Sequence, residues 1–313
     1  MGLTIGVDVG GTKVAAGVVD EDGRILEKLK RPTPSSSPAD TADVIGDAVL
    51  ELKGRHQVEA VGVGAAGFVD ETRSTVVFAP NLAWRDEPLK KKVEDRCGLP
   101  TVIENDANAM AWGEYRFGAG RGEHFLVCIT LGTGIGGGVI IDGEMYRGRY
   151  GLGAEVGHYR VVPDGRRCGC GNRGCWEQYA SGRALVAEAR ELARTSPAIA
   201  GRLLELGDGI PEGIEGEEVT LAAKEGDPAA LECFRVVGHW LGQGLADLAA
   251  LLDPGRFLIG GGVSDAGELL LEPARSTFVK SVTGRGHRTL ADVRIAELGS
   301  DAGVVGAADL ARR

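Results

Sequence analysis

The sequence predicts an α/β protein of two lobes, and three observations predict it. Short apolar strands joined by tight turns open the chain and give way to alternating helix and strand. The same pattern recurs in the second half. At 313 residues the chain is long for one core and comfortable for two.

Leu3 to Val9 alternates apolar and small residues and reads as a strand, and Gly10-Gly11-Thr12-Lys13 turns it into a second, Val14 to Val19. Glu21-Asp22-Gly23 turns again into a third, Arg24 to Lys30, so a meander opens the chain. A Pro/Ser loop, Pro32 to Pro38, leads to an N-cap expected at Asp40 or Thr41, and the helix after it lines up Val44, Ile45, Ala48, Val49 and Leu52. A strand (Val58 to Ala65) ending at Ala66-Gly67, a helix near Glu87–Cys97 and a strand (Thr101 to Ile103) ending at Glu104-Asn105-Asp106 complete the first half. In the second half Phe125 to Leu131, the turn Gly132-Thr133-Gly134, Gly136 to Ile141, the turn Asp142-Gly143 and Glu144–Tyr146 repeat the meander. Helices near Ser181–Arg194 and Ala229–Leu252 follow. Gly238, Gly242 and Gly244 in the latter each cost about 1 kcal/mol against alanine, so close packing is expected there. A strand (Arg256 to Ile259), Gly260-Gly261-Gly262, a helix, a strand (Asp292 to Ala296) and a helix (Ala302 to Ala311) finish the chain. This is the pattern of a two-lobed actin/hexokinase-like (ribonuclease H-like) ATPase fold with a cleft between the lobes.

A net charge of −10 argues against nucleic acid or an anionic membrane as partner. No apolar run reaches the roughly 18 residues needed to cross a bilayer. The N-terminus starts directly in a strand pattern without a basic leader, so a cytoplasmic protein is expected. Glycine, at 50 residues, is far above ordinary usage and points to tight turns and close backbone approaches.

Asp8-Val9-Gly10-Gly11-Thr12-Lys13 nearly imitates a P-loop, but its last two positions are swapped and a hairpin replaces the required helix. A glycine turn between strands binds phosphate differently: its N–H groups face phosphate oxygens, and an acid at the strand end faces hydrated magnesium. One such turn would read as an ordinary hairpin. Its recurrence at Gly132-Thr133-Gly134 and at Gly260–Gly262 favours nucleotide binding. Gly132-x-Gly134-x-Gly136-Gly137 also resembles a dinucleotide fingerprint, but strand rather than helix follows it.

Asn105 or Asp106 can cap the helix that follows them. A carboxylate at a strand's C-terminal end is also where α/β proteins place chemistry. Capping would lower the pKa of Asp106, which phosphoryl transfer tolerates because its transition state needs the hydroxyl oriented more than deprotonated early. A dual role is expected. Cys168, Cys170 and Cys175 lie within eight residues, spaced by glycines and preceded by His158. One imidazole and three thiolates complete a tetrahedral structural zinc shell, with Glu155 and Glu177 flanking it. With all four positions taken by protein, zinc serves as a clamp that fixes His158 by one ring nitrogen.

The sequence resembles the ROK family of sugar kinases and repressors along Leu3 to Leu310. The resemblance is carried by Asp8–Lys13, Glu104–Asn108, Leu131–Gly138 and, most specifically, Glu155-x-x-His158 leading into Cys168-x-Cys170-x4-Cys175-x-Glu177. It implies transfer of the γ-phosphoryl of ATP to the 6-hydroxyl of a hexose, with Asp106 as the base and Asn105 holding neighbouring hydroxyls. Glu155, His158 and Glu177 would bind the anomeric end, and Gly67 would touch the sugar through its backbone. Gly10, Gly11, Thr12, Lys13, Thr133, Gly134 and Gly261 would hold ATP, with Asp8 near Mg2+ and structural Zn2+ on His158, Cys168, Cys170 and Cys175. Glucose is the expected substrate; an N-acetylated hexosamine, or sugar binding without turnover, are the alternatives. The expected lobes are 1–106 plus about 299–313, and 107–298 with the zinc knot at 158–175. The last helix is expected to return to the first lobe, and relatives imply a homo-oligomer. The family's repressors carry a DNA-binding segment ahead of the first glycine motif, and only seven residues precede Asp8, so no nucleic-acid role is expected.

Overall fold

A computed structural model describes residues 2–34, 37–80 and 82–313; the Ser35-Ser36 part of the expected Pro/Ser loop lies outside the described residues. The chain divides into two compact units, residues up to 128 with 137–155 and 296–313, and residues 129–136 with 156–295. Among the described residues no helix is long and apolar enough to cross a membrane.

In the first unit the elements run β1 (Leu3–Val9), β2 (Lys13–Val19), β3 (Ile25–Pro32), α1 (Pro38–Lys53), β4 (Val58–Ala65), β5 (Phe68–Val69), β6 (Val76–Phe78), β7 (Arg85–Glu87), α2 (Leu89–Cys97), β8 (Thr101–Asn105) and α3 (Asp106–Phe117). The sheet order is β3-β2-β1-β4-β8, antiparallel through the meander and parallel from β1 through β4 to β8. Side chains alternate across β1 as the period of two requires. Ile5, Val7 and Val9 join one core with Ile45, Val49 and Leu52 of α1 and Leu89 and Val93 of α2. On the other face Thr4 donates to the Ala308 carbonyl at 2.9 Å. Gly6 and Gly62 there lie so close to the carbonyls of Val304 and Ala307 that a β-carbon could not fit. Those carbonyls belong to the terminal helix α10 (Ala302–Leu310), which packs on β1, β4 and α3 and so returns to the first unit. Glu114, fully buried on α3, accepts from the backbone N–H groups of Ala119, Glu297 and Leu298 at 3.0, 3.0 and 2.6 Å and anchors the segment entering α10.

Ser37, rather than Asp40 or Thr41, caps α1, because Pro38 at the first helical position needs no donor and leaves the Asp40 N–H to the serine oxygen. The short sheet β5-β6-β7 has too few residues per strand to show a period in sequence. The sequence reading starts its second lobe at 107, whereas α3 lies inside the first unit, packed through Gly113 and Gly306 against α10 at backbone-to-backbone distance.

The chain then runs through β9 (Leu126–Leu131) and β10 (Ile135–Ile141), both of which pass from one unit to the other, and β11 (Glu144–Tyr146). Helices α4 (Glu177–Ala180), α5 (Gly182–Thr195), α6 (Gly201–Leu206), α7 (Gly216–Lys224) and α8 (Pro228–Leu252) follow, then β12 (Arg256–Gly260), α9 (Glu268–Ser281) and β13 (Asp292–Ile295). The second five-stranded sheet has the order β11-β10-β9-β12-β13. Position by position this is the order of the first, which bears out the internal repeat. The α8 glycines pack closely: Gly238 and Gly242 lie against Pro273, Ala274 and Thr277 of α9, and Gly244 against the indole of Trp176.

Candidate active site

Three parallel strands of the first unit end together. Asp8 of β1 pairs in register with Gly64 of β4, which pairs with Glu104 of β8, and Ala65 pairs with Asn105. The C-terminal ends of parallel strands are where peptide groups leave the ladder and open positions for ligands. At this edge the Gly10–Lys13 turn is closed by Gly10 N–H donating to the Lys13 carbonyl at 3.0 Å, and Thr33 secures it through Gly10 and Thr12. Burial and the neighbouring negative charge of Asp106 push the Asp8 carboxyl up to about 6, against the pull of Lys13 and Lys28. A carboxylate held at such a cost, at the end of a strand, is chemically suited to a hydrated cation.

The cap of α3 is Asn105: its side-chain oxygen accepts from Asn108 N–H at 3.0 Å. Its amide nitrogen donates to the Gly67 carbonyl and to Asp106 Oδ1, both at 3.1 Å. Asp106 is therefore the first helical residue and not the cap. Its carboxyl is raised rather than lowered, because burial outweighs the N–H groups of Asp106 and Ala107 and the Asn105 amide. Gly67 is in register to present backbone only, since a side chain would press on the Phe78 carbonyl at 2.6 Å. Just before these residues, Glu104 is held by Arg73 and Arg147, neither of which carries a motif signal in sequence.

In the second unit, the donor atoms of His158, Cys168, Cys170 and Cys175 all lie within 4.8 Å of one another. Cys168 Sγ is 3.6 Å from His158 Nδ1, and Cys170 Sγ is 3.6 Å from Cys175 Sγ. Atoms bound tetrahedrally at about 2.0–2.3 Å from one zinc stand apart by similar distances, so the donor set fits that ion. The loop is wound by Cys168 N–H donating to the Asn172 carbonyl at 2.9 Å and Gly171 N–H to the Cys168 carbonyl at 3.1 Å. Nδ1 is the histidine nitrogen turned to the thiols, which leaves Nε2 for another partner. Glu177 is buried beside the knot, with Oε1 3.0 Å from Cys168 Sγ and 3.1 Å from the Gln178 amide. Its Oε2 lies where a β-carbon on Gly134 would be. The knot and the second glycine turn are thus in direct contact through Glu177. Glu155 is exposed, at the end of the loop that precedes the turn Val156–His158.

That second turn is closed by Gly132 N–H donating to the Gly134 carbonyl at 3.1 Å, and it also receives Gly182 N–H and Arg183 Nε at 2.9 Å each on the carbonyls of Gly132 and Thr133. Gly261, with φ of +86°, lies against the Leu131 backbone, so the third glycine turn abuts the second. Together they line one end of a cavity of about 1630 Å³, whose walls include Arg183, Arg190, Thr220, Val263 and Asp265. Glycine spacing located the end of the cavity lined by Gly132, Thr133 and Gly262. The walls on α5 and α7 have no motif, and sequence reasoning missed them.

The family model described as the ROK family matches residues 4–313. A glucokinase of Streptomyces coelicolor is 57% identical over 312 residues, covering 100% of this chain and 98% of that protein. A ROK family glucokinase from Streptomyces griseus, solved in complex with glucose and AMPPNP, matches with a TM-score of 0.91 at 60% identity, covering 99% of each chain. A ROK hexokinase from Thermus thermophilus matches with a TM-score of 0.80 at 34% identity, covering 99% of this chain and 98% of the other.

Proposed function

The chain belongs to the ROK family, and on that premise we propose that it is an ATP-dependent glucokinase, transferring the γ-phosphoryl group of ATP to the 6-hydroxyl of glucose to give glucose 6-phosphate and ADP. The Streptomyces griseus relative, which holds glucose and an ATP analogue, supports both the sugar and the donor. The observation that carries the reading is the Asn105-Asp106 pair: a carboxylate raised by burial, oriented by a neighbouring amide, at the open end of β8.

In this reading Asp106 accepts the proton of the 6-hydroxyl as that oxygen bonds to the γ-phosphorus and the bond to the leaving ADP oxygen breaks. A raised pKa suits a base that must hold a proton once transferred. Asn105 and the Gly67 backbone position the sugar beside Asp106. Glu155, Glu177 and the free Nε2 of His158 take hydroxyls at its anomeric end. Gly10, Gly11, Thr12, Lys13, Thr133, Gly134 and Gly261 hold ATP, whose base and ribose occupy the cavity between α5 and α7. Asp8 would hold hydrated magnesium, which would supply positive charge for the transferring phosphoryl group. His158, Cys168, Cys170 and Cys175 would hold structural zinc, which would keep the histidine and Glu177 in fixed orientation. The reading includes a cytoplasmic homo-oligomer.

A coupled assay for ADP with glucose, and with N-acetylglucosamine and N-acetylmannosamine for comparison, tests the assignment. Glucose should give the highest kcat/KM, and Asp106→Ala should lower kcat by about 10²–10⁴-fold, the range for losing a general base. Equal rates in Asp106→Ala and wild type would sink the assignment of the base.

A further inference from the structure

Glu104 is buried, 1% exposed, immediately before the Asn105-Asp106 pair. Burying a carboxylate costs several kcal/mol unless opposite charge and hydrogen bonds compensate it. Here the compensation is specific. Arg147 Nε lies 3.2 Å from Oε1 and 2.9 Å from Oε2, and Arg73 Nε lies 3.2 Å from Oε2. Oε1 also receives Asn105 N–H and the Asn108 amide, both at 3.0 Å. The carboxylate thus holds the backbone of Asn105, and the Asn105 side chain holds Asp106.

Arg147 does more than neutralise Glu104. Its other guanidinium nitrogens donate to the carbonyls of Glu71 at 3.2 Å and Asp70 at 2.9 Å, and its side chain is 11% exposed against 29% for Arg73. Its own carbonyl accepts from Gly153 N–H at 2.9 Å and closes the loop 147–153. That loop sits on the residue 69–70 backbone at Gly151, where a side chain would meet the Val69 carbonyl at 2.5 Å. Two residues beyond Gly153 the same segment reaches Glu155.

We infer that Arg147 is a positioning residue for the phosphoryl acceptor: through Glu104 it ties the loop leading to Glu155 to the turn carrying Asp106. The inference rests on the reading of Asp106 as base and Glu155 as a sugar ligand. Both groups would act on the sugar, at its reacting hydroxyl and at its anomeric end, and the Arg147–Glu104 pair sets them against one another. None of the hydrogen bonds and ion pairs named above for Arg147, Arg73 and Glu104 goes to the Gly10–Lys13 turn, so the donor side should be insensitive to the network.

Steady-state kinetics of the full chain test this. Arg147→Met should lower kcat by about 10–100-fold, the cost of a misplacement near 1 Å, and raise KM for glucose. KM for ATP should stay within about twofold of wild type, and Arg147→Lys, which keeps the charge but loses the fork, should recover part of kcat. A network that only supports the fold would lower Tm while leaving kcat and both KM values of the folded enzyme unchanged, and that result overturns the inference. If Arg147→Met does not fold, Glu104→Gln serves as the second variant and should show the same split between the two substrates. Adding Arg147→Met to Glu104→Gln should cost little more than either alone; fully additive losses would mean that the two do not act as a unit. Wild-type kinetics in the Arg147 variants beside an inactive Asp106→Ala would remove this inference and leave the base assignment standing. An active Asp106→Ala would remove the base assignment itself.

Discussion

The two glycine turns stand on sheets of the same order and differ in charge, with Lys13 of the first matched by Ile135 of the second and an acid of the first by a hydroxyl. Two positions before the first glycine, the first turn carries Asp8 and the second carries Thr130. Asp8 is a buried acid lifted to about 6. Thr130 is neutral, and its hydroxyl accepts from Gly136 N–H at 3.1 Å, inside its own hairpin. A repeated scaffold has been given a charge in one copy and a self-satisfied hydroxyl in the other. An anionic phosphate chain approaches a neutral turn at lower electrostatic cost, whereas a carboxylate requires a cation between itself and the phosphate. On the proposed function, the difference would put the metal side of the chemistry at the first turn and phosphate cradling at the second.

The largest expected effect breaks that contrast directly. Asp8→Asn should lower kcat by about 10²–10³-fold, as expected for a group that stabilises charge in the transition state. Thr130→Val, which removes one hydrogen bond worth about 1 kcal/mol, should cost roughly fivefold or less. Equal losses in the two variants would erase the distinction. The same substitution should move stability the other way. The folded pKa of Asp8, about 6, lies above its ordinary 3.8. Its stabilising contribution is therefore complete below about pH 4 and is lost as pH rises through about 6. Denaturant unfolding without nucleotide or magnesium should find Asp8→Asn more stable by about 1–2 kcal/mol at about pH 8, with the gain fading by about pH 4. In the wild type, kcat/KM should fall on the acid side as Asp8, raised to about 6, takes up a proton, and the Asp106 carboxyl, also raised by burial, should add to the fall.

A second contrast concerns what holds each set of groups. Asn105 and Asp106 stand where β8 passes into α3, whereas His158 and Glu177 flank a glycine-rich loop with almost no regular structure, His158 ending a short 3-10 turn and Glu177 opening α4. A metal bound to its four donors would stiffen that loop further. Cys170→Ser should abolish stoichiometric zinc, measured with a colorimetric chelator. It should also weaken glucose binding by about tenfold or more in calorimetry, the usual scale for losing outer support of a site. Retention of glucose affinity without zinc would reduce the knot to a staple.

The fold was legible wherever a local rule spoke: the period of two in the meanders, the repeated glycine turns, and the stripe on α8. The cysteine spacing likewise announced the donor set before any geometry was known. The N-cap at Ser37 was missed because Asp40 and Thr41 compete for the same role in sequence, and only the position of Pro38 decides. The rise of the Asp106 pKa was not readable, since it depends on burial by residues distant in the chain. Arg73 and Arg147 were invisible for a similar reason: an arginine in a loop has no pattern until the carboxylate it reaches is placed.

The smallest expected effect sharpens the comparison of the turns themselves. A β-carbon on Gly10 would have the Lys13 carbonyl as its nearest neighbour at 3.6 Å, an ordinary contact, and one on Gly132 would meet nothing within 4 Å. Neither glycine is at positive φ, so the fold does not require either. Gly10→Ala and Gly132→Ala should therefore leave unfolding free energies within about 0.5 kcal/mol of wild type. On the proposed function each methyl would occupy space through which a phosphate reaches the backbone, so KM for ATP should rise in both while KM for glucose holds. If only Gly10→Ala raises it, the second turn is a structural echo of the first, and the phosphate contacts belong to the turn that carries the acid.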